Sequence, residues 1–469
     1  MDGGDGGPGR DPEQARFVVR GGPADEDYPH RVMTRSDPAQ PADPDRRTRA
    51  SGALLFVLLC AMGVGPLFNY GVSVSSAIII EQLGITAGQL GLVVSVVFAS
   101  AAITSIYLGR LADRMSARAQ LVLIFAGTAV ALVVGAFASH YWVLLFAAVL
   151  AGPAQAISNP TTNRIIIRAV PPVKRAGWIG VKQSGVQASQ LFSGLFFPAV
   201  SLWLGWTGAA LGAALVALGL LVYGLAVVPT PRELAARAAR DARDAPGPDT
   251  TTPAAPGGAR ATAPDGQAPG RLPATVWIFA SIALLSGFGM QATNVYLPLF
   301  SMEAVGFSLV LGGVATAVSG VIGVVSRIWW GRRMSAGVKA STLLLMISAG
   351  ALSGVAAFLA AGLWHLPTLI WAGAALHGVT VLGANVVINA GLMQVVAPER
   401  IGAASGINSM GMYSGFALGP LVMGALRDLT GDFSIGWLVI AVMYVGCFGM
   451  ALFLRAHGRR QPRPAVTPA

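Results

Sequence analysis

Gly109-Arg110-Leu111-Ala112-Asp113-Arg114-Met115-Ser116-Ala117-Arg118 follows directly on an apolar run at 86–108. A run of that size matches the roughly 20 residues a helix needs to cross the hydrocarbon core of a bilayer. The stretch after it combines a small residue, one acid and three arginines. A glycine there lets helices approach closely, an acid suits a helix end, and arginines offer forked hydrogen bonds.

Working outward, apolar runs recur along the whole chain. Six precede a polar segment, at 52–80, 86–108, 119–138, 141–168, 176–203 and 207–228. Six follow it, at 274–300, 307–330, 340–362, 367–393, 402–425 and 433–455. With 54% hydrophobic and 11% charged residues, the 469-residue chain lacks the charge that a soluble surface of this size requires. The segment 229–272, rich in Pro, Ala, Asp, Arg and Thr, reads as a flexible linker, and residues 1–50 as a disordered cytoplasmic tail. The expected layout is therefore a bundle at 51–228, the linker, a second bundle at 273–456 and a cytoplasmic tail at 457–469.

Lys and Arg in the short loops orient the spans. Arg110, Arg114, Arg118, Arg168, Lys174, Arg175, Arg332, Arg333, Lys339 and Arg400 fall on one side, and Arg427 falls on the other. The first side is expected to be cytoplasmic, with both termini and the linker on it. The net charge of +11 is thus a topology signal and not a nucleic-acid surface. The bias toward Arg, Ala, Gly and Pro suggests a bacterium with a GC-rich genome, so the expected location is a bacterial plasma membrane. Cys60 and Cys447 lie inside apolar runs and imply neither a disulfide framework nor a metal site. No phosphate-binding glycine loop with a lysine, zinc ligand set or nucleophile–base pair is present, which argues against an enzyme, a cofactor and ATP-driven chemistry.

The two sets of runs are related to each other. An offset of 226 positions pairs Asn159 with Asn385, Asn163 with Asn389, Gly152 with Gly378, Pro172 with Pro398, Gly180 with Gly406 and Gly185 with Gly411. Near the quoted stretch the offset is 222, pairing Gly109 with Gly331 and Arg110 with Arg332. Parallel repeats of this kind place a solute site at their interface near the bilayer midplane.

The stretch 109–118 resembles the loop motif of the major facilitator superfamily. That resemblance covers about 51–456 and implies an all-α membrane protein, with twelve transmembrane helices arranged as two six-helix pseudo-repeat bundles around a central cavity. It also implies rocker-switch alternating access, a monomer, and a cytoplasmic latch formed by Gly109, Arg110, Asp113, Arg114 and Arg118. The chain departs from the pattern at two places. The second copy, Gly331-Arg332-Arg333-Met334-Ser335, lacks the aspartate, and Ala148 stands where the family often has an arginine before Gly152. Residues 159–187 resemble a bacterial branch associated with small organic anions. Small residues in Gly415-Phe416-Ala417-Leu418-Gly419-Pro420 and Gly424 predict close helix packing.

Ionisable groups inside a span are costly and mark function by default. Lys182, Arg164, Arg327 and His377 are such groups, and none has a like partner in the repeat; Lys182 corresponds to Asn408. No Asp or Glu falls mid-span, so the cavity is expected to be electropositive and to favour an anion. Asn159, Asn163, Gln183, Gln187, Asn69, Tyr70, Gln291, Asn294, Asn385 and Asn389 supply neutral polar contacts. His377 is the candidate for proton coupling. Carriage of a small organic or inorganic anion is the leading expectation. Efflux of an amphiphilic drug or metabolite by proton antiport is the alternative, and a sensor or scaffold a third class.

Overall fold

The computed structural model describes residues 52–228, 272–397 and 400–460. The expected tail at 1–50, linker residues 229–271 and tail residues 461–469 lie outside the described residues. Those that are described form α1 (Gly52–Val64), α2 (Leu67–Val74), α3 (Ser76–Leu83), α4 (Ala87–Arg114), α5 (Ala117–Ala136), α6 (Tyr141–Ala169), α7 (Pro172–Gln183) and α8 (Gly185–Val227). Beyond the linker come α9 (Ala274–Val305), α10 (Leu309–Ser335), α11 (Ala340–Trp364), α12 (Pro367–Val379), α13 (Val381–Val395), α14 (Ile401–Thr430) and α15 (Ser434–Arg460). The last helix runs past the bundle end expected at 456.

Among the described residues ten helices are long and apolar enough to cross a bilayer, and α1 with α2 supplies an eleventh, bent by 52°. The span expected at 52–80 is thus built from three helical pieces, α1, α2 and α3. Pro66 stands at the first break, where its missing N–H and fixed φ interrupt the hydrogen-bond ladder. Pro367–Val395, one of the ten, matches the span expected at 367–393 and carries a break at Thr380 (φ −100°, ψ −66°).

The internal repeat extends into the helix ends. Gly84 and Gly306, separated by the 222 offset, both close a helix in the left-handed region (φ 59° and 70°). Two residues on, Thr86 exchanges hydrogen bonds with Gln89 in a capping box before α4, and Ser308 accepts from the Leu311 amide before α10. Gly205 and Gly431, separated by 226, also share positive φ (61° and 83°). Gly431 ends α14, whereas Gly205 interrupts α8 with non-helical dihedrals. Only glycine takes such a conformation without steric cost.

Packing follows the small residues. On α14, Gly411, Gly415 and Gly419 lie against the backbone of Ala280, Leu284 and Phe288 on α9, leaving no room for a side chain. α4, α5, α6 and α8 pack on one another, as do α9, α11, α14 and α15 along their shared faces. The two halves meet where α4 lies on α14 and α8 on α10.

Candidate functional site

Lys182 sits at the end of α7 and is wholly buried (0% exposed). Its Nζ donates to Asn159 Oδ1 (2.8 Å), Thr162 Oγ1 (2.9 Å) and Asn163 Oδ1 (2.6 Å), so each ammonium proton meets a neutral oxygen. The three acceptors are one turn or less apart on α6 and share a face. An ammonium has no acceptor, so both asparagines must turn their oxygens toward it. Their NH2 groups then point away. Gln183 Nε2 adds a bond to Asn159 Oδ1 (3.2 Å). Asn159 is exposed and Asn163 half-buried, so the result is a donor-rich patch backed by a buried positive charge.

The second half carries the neutral counterpart. Asn408 Nδ2 donates to Asn389 Oδ1 (3.0 Å), and both positions lie 226 residues beyond Lys182 and Asn163. Asn389 Nδ2 in turn reaches the backbone oxygen of Asn385 (2.8 Å). The contact geometry is repeated while the charge is not.

Arg327 joins the two halves. Its Nε donates to the backbone oxygen of Leu382 on α13 (3.0 Å) and its Nη1 to that of Gln183 on α7 (2.9 Å). Nη2 makes no hydrogen bond among the described residues. The break at Thr380 exposes carbonyls that other α10 side chains also take up, Ser326 Oγ on Gly378 (2.9 Å) and Trp330 Nε1 on Val379 (2.7 Å). Arg164 is half-buried on α6, beside Asn163.

A third cluster is fully buried between the halves. His377 Nε2 and Gln190 Nε2 both lie on Asn294 Oδ1 (3.1 and 3.3 Å). Gln187, Gln291, Asn69 and Tyr70 are buried too, and Gln187 Oε1, Gln190 Oε1, Gln291 Nε2, Asn294 Nδ2 and Asn69 Oδ1 find no partner among the described residues. Orphaned polar atoms in such number need an explanation beyond packing.

At the end remote from the Arg-rich loops the halves are tied together. Gly88 N at the start of α4 donates to Asp428 Oδ2 (2.8 Å), a carboxylate at a helix N-terminus. Tyr296 OH donates to the backbone oxygens of Ala87 (2.6 Å) and Pro420 (3.2 Å), and Ser95 Oγ to that of Ala417. Arg427 pairs with Glu303 beside them (3.1 Å), which accounts for the lone basic residue on that side.

The loop motif is placed only in part. Gly109 lies within α4, the side chains of Arg110 and Asp113 lie outside the described residues, and Arg114 is exposed. Arg118 donates to the backbone oxygens of Val228 and Leu225, capping the end of α8 within its own half. Sequence reasoning did not find Thr162, Trp330 or Asp428. Thr162 was discoverable from its helical spacing to Asn159, whereas the other two depend on contacts from distant segments.

Similarity to known proteins agrees with this architecture. The chain is 24% identical over 422 residues to the probable sulfoacetate transporter SauU of Cupriavidus necator, covering 87% of this chain and 95% of that one. Its fold superposes on a bacterial homologue of the human lysosomal transporter Spinster with a TM-score of 0.65 at 17% identity, covering 88% of this chain and 99% of the other. A D-xylose–proton symporter gives 0.65 at 16% identity, with 86% and 97% covered. Residues 53–372 match the sequence profile of the Major Facilitator Superfamily, and the chain therefore belongs to that family of membrane transporters and is not an enzyme.

Proposed function

We propose that this transporter carries a small anion across a bacterial plasma membrane by alternating access. The observation that carries the reading is the Lys182 cage. A buried ion costs several kcal/mol even when its hydrogen bonds are filled, and among the described residues no carboxylate offsets it. Burying a lysine among neutral oxygens makes physical sense if the charge is neutralised by a ligand. The outward-turned amides of Asn159 and Asn163 are the donors that would meet that ligand. The relative's name, a probable sulfoacetate transporter, supports an anionic solute.

In this reading α1 to α3 form one span, α7 with the first part of α8 another, and α12 with α13 a third. Division of α8 at Gly205, by analogy with Gly431, brings the total to twelve spans in two bundles of six. The Arg-rich loops and both termini are cytoplasmic. The joined end at Asp428 and Tyr296 is then the sealed outer face, and Asn159 opens toward the cytoplasm. His377, held on Asn294 between the halves, is the side chain we assign to proton coupling, and the working unit is a monomer.

Counterflow in proteoliposomes tests this. Protein preloaded with a small carboxylate or sulfonate is expected to exchange it for labelled anion, with exchange lost in Lys182→Met. His377→Gln is expected to keep exchange but to lose accumulation driven by a pH gradient. Failure to exchange any anion, with a cationic dye moved instead, would favour drug efflux and end this reading.

A further inference from the structure

Gln183 links two positive groups that belong to different halves of the protein. Its side-chain Nε2 lies on Asn159 Oδ1 (3.2 Å), within the Lys182 cage, and its backbone oxygen accepts from Arg327 Nη1 (2.9 Å). The cage and the guanidinium are therefore separated by about the reach of one glutamine residue. Neither Lys182 nor Arg327 has a carboxylate partner among the described residues, and the Arg427–Glu303 pair lies at the opposite end. Two hydrogen-bonded cations are thus left without a counter-charge at one site.

The donors left over by this arrangement fall into two groups. One is the NH2 groups of Asn159 and Asn163, turned outward because their oxygens hold the ammonium. The other is Arg327 Nη2, left over after Nε and Nη1 are spent on Leu382 and Gln183. A monoanion at the first group leaves the second charge uncompensated, at a desolvation cost. Two anionic groups joined by a short chain match two donor groups set on either side of Gln183.

Building on the anion-carrier reading, we infer that the solute is a short-chain dianion, with one anionic group on the Asn159–Asn163 amides and the other on Arg327. Carboxylate and sulfonate groups both suit these donors, since each presents several acceptor oxygens to planar N–H groups. Arg327 is then the residue that sets selectivity for two charges over one. Its bond to Gln183 places the second anionic group on the half opposite Lys182, so a bound dianion spans the interface that must rearrange during transport.

Isothermal titration of the detergent-purified full chain tests this with malonate and succinate against acetate, propionate and sulfate. Wild type is expected to bind the dicarboxylates on the order of tenfold more tightly than the other three, the equivalent of one charge-assisted contact. Arg327→Gln is expected to remove that preference, so that within the variant the dicarboxylates bind within about twofold of the monocarboxylates. If Arg327→Gln fails to fold, the preference is read in Arg327→Lys, where loss of the planar fork is expected to narrow it severalfold. Equal affinity for mono- and dicarboxylates in wild type, or a preference unchanged in both variants, overturns the dianion assignment and leaves the anion reading standing. If none of the five anions binds, the anion reading itself fails.

Discussion

Lys182 shows how far a residue can be read before its surroundings are known. Its depth in a span makes it a candidate functional residue, and its mismatch with Asn408 breaks the symmetry of the repeat. Neither sign reveals that its three protons are already occupied, because that depends on how α7 lies against α6. In the structure the lysine donates to Asn159 and Asn163, and in the proposed reading it acts on the solute through their amides. A double-mutant cycle is the matching test. Asn163→Leu alone leaves a buried N–H unpaired and is expected to cost about 1–3 kcal/mol in thermal or denaturant unfolding. Lys182→Met alone removes a desolvated charge and is expected to stay within about 1.5 kcal/mol of wild type. The double variant should cost clearly less than the sum, and strict additivity would mean that the two residues do not interact.

At the scale of elements, the apolar runs located the helices because bilayer thickness fixes their length. The breaks were less legible. Pro66 could have announced the bend between α1 and α2, but nothing local announces the break at Thr380. That break is held by α10, whose Ser326, Arg327 and Trp330 take up the backbone oxygens of Gly378, Leu382 and Val379. Gly383 makes this possible, since a Cβ there would collide with the Trp330 ring. Gly383→Ala is expected to push Trp330 off Val379 and destabilise the protein by about 1–3 kcal/mol, through overpacking and a lost hydrogen bond. Trp330→Phe in the same background should recover part of that loss, which unfolding curves of the three proteins would show. An alanine variant as stable as wild type would mean that the tryptophan contact does not hold the break.

Across the whole molecule, the repeat was visible in the sequence at a handful of glycines and asparagines, and the structure extends it to caps and positive-φ turns. Contacts between the halves had no such signal. Asp428, Tyr296 and Ser95 meet their partners across hundreds of residues, so no local pattern could pair them. If these contacts seal the outer face, loosening them should favour the outward-open state. A cysteine introduced at Ala417, in a background lacking Cys60 and Cys447, is expected to react slowly with an impermeant reagent added from outside. Adding Tyr296→Phe or Asp428→Ala should speed the reaction severalfold, and an unchanged rate in both would show that the seal lies elsewhere. The most direct test of the central claim, an anion held through the Lys182 cage, is melting temperature against a panel of anions, sugars and cationic drugs, because a ligand that binds the native state raises it. The account predicts that small anions stabilise wild type and have no such effect on Lys182→Met, whereas equal stabilisation of both proteins by hydrophobic cations, with no response to anions, would contradict it.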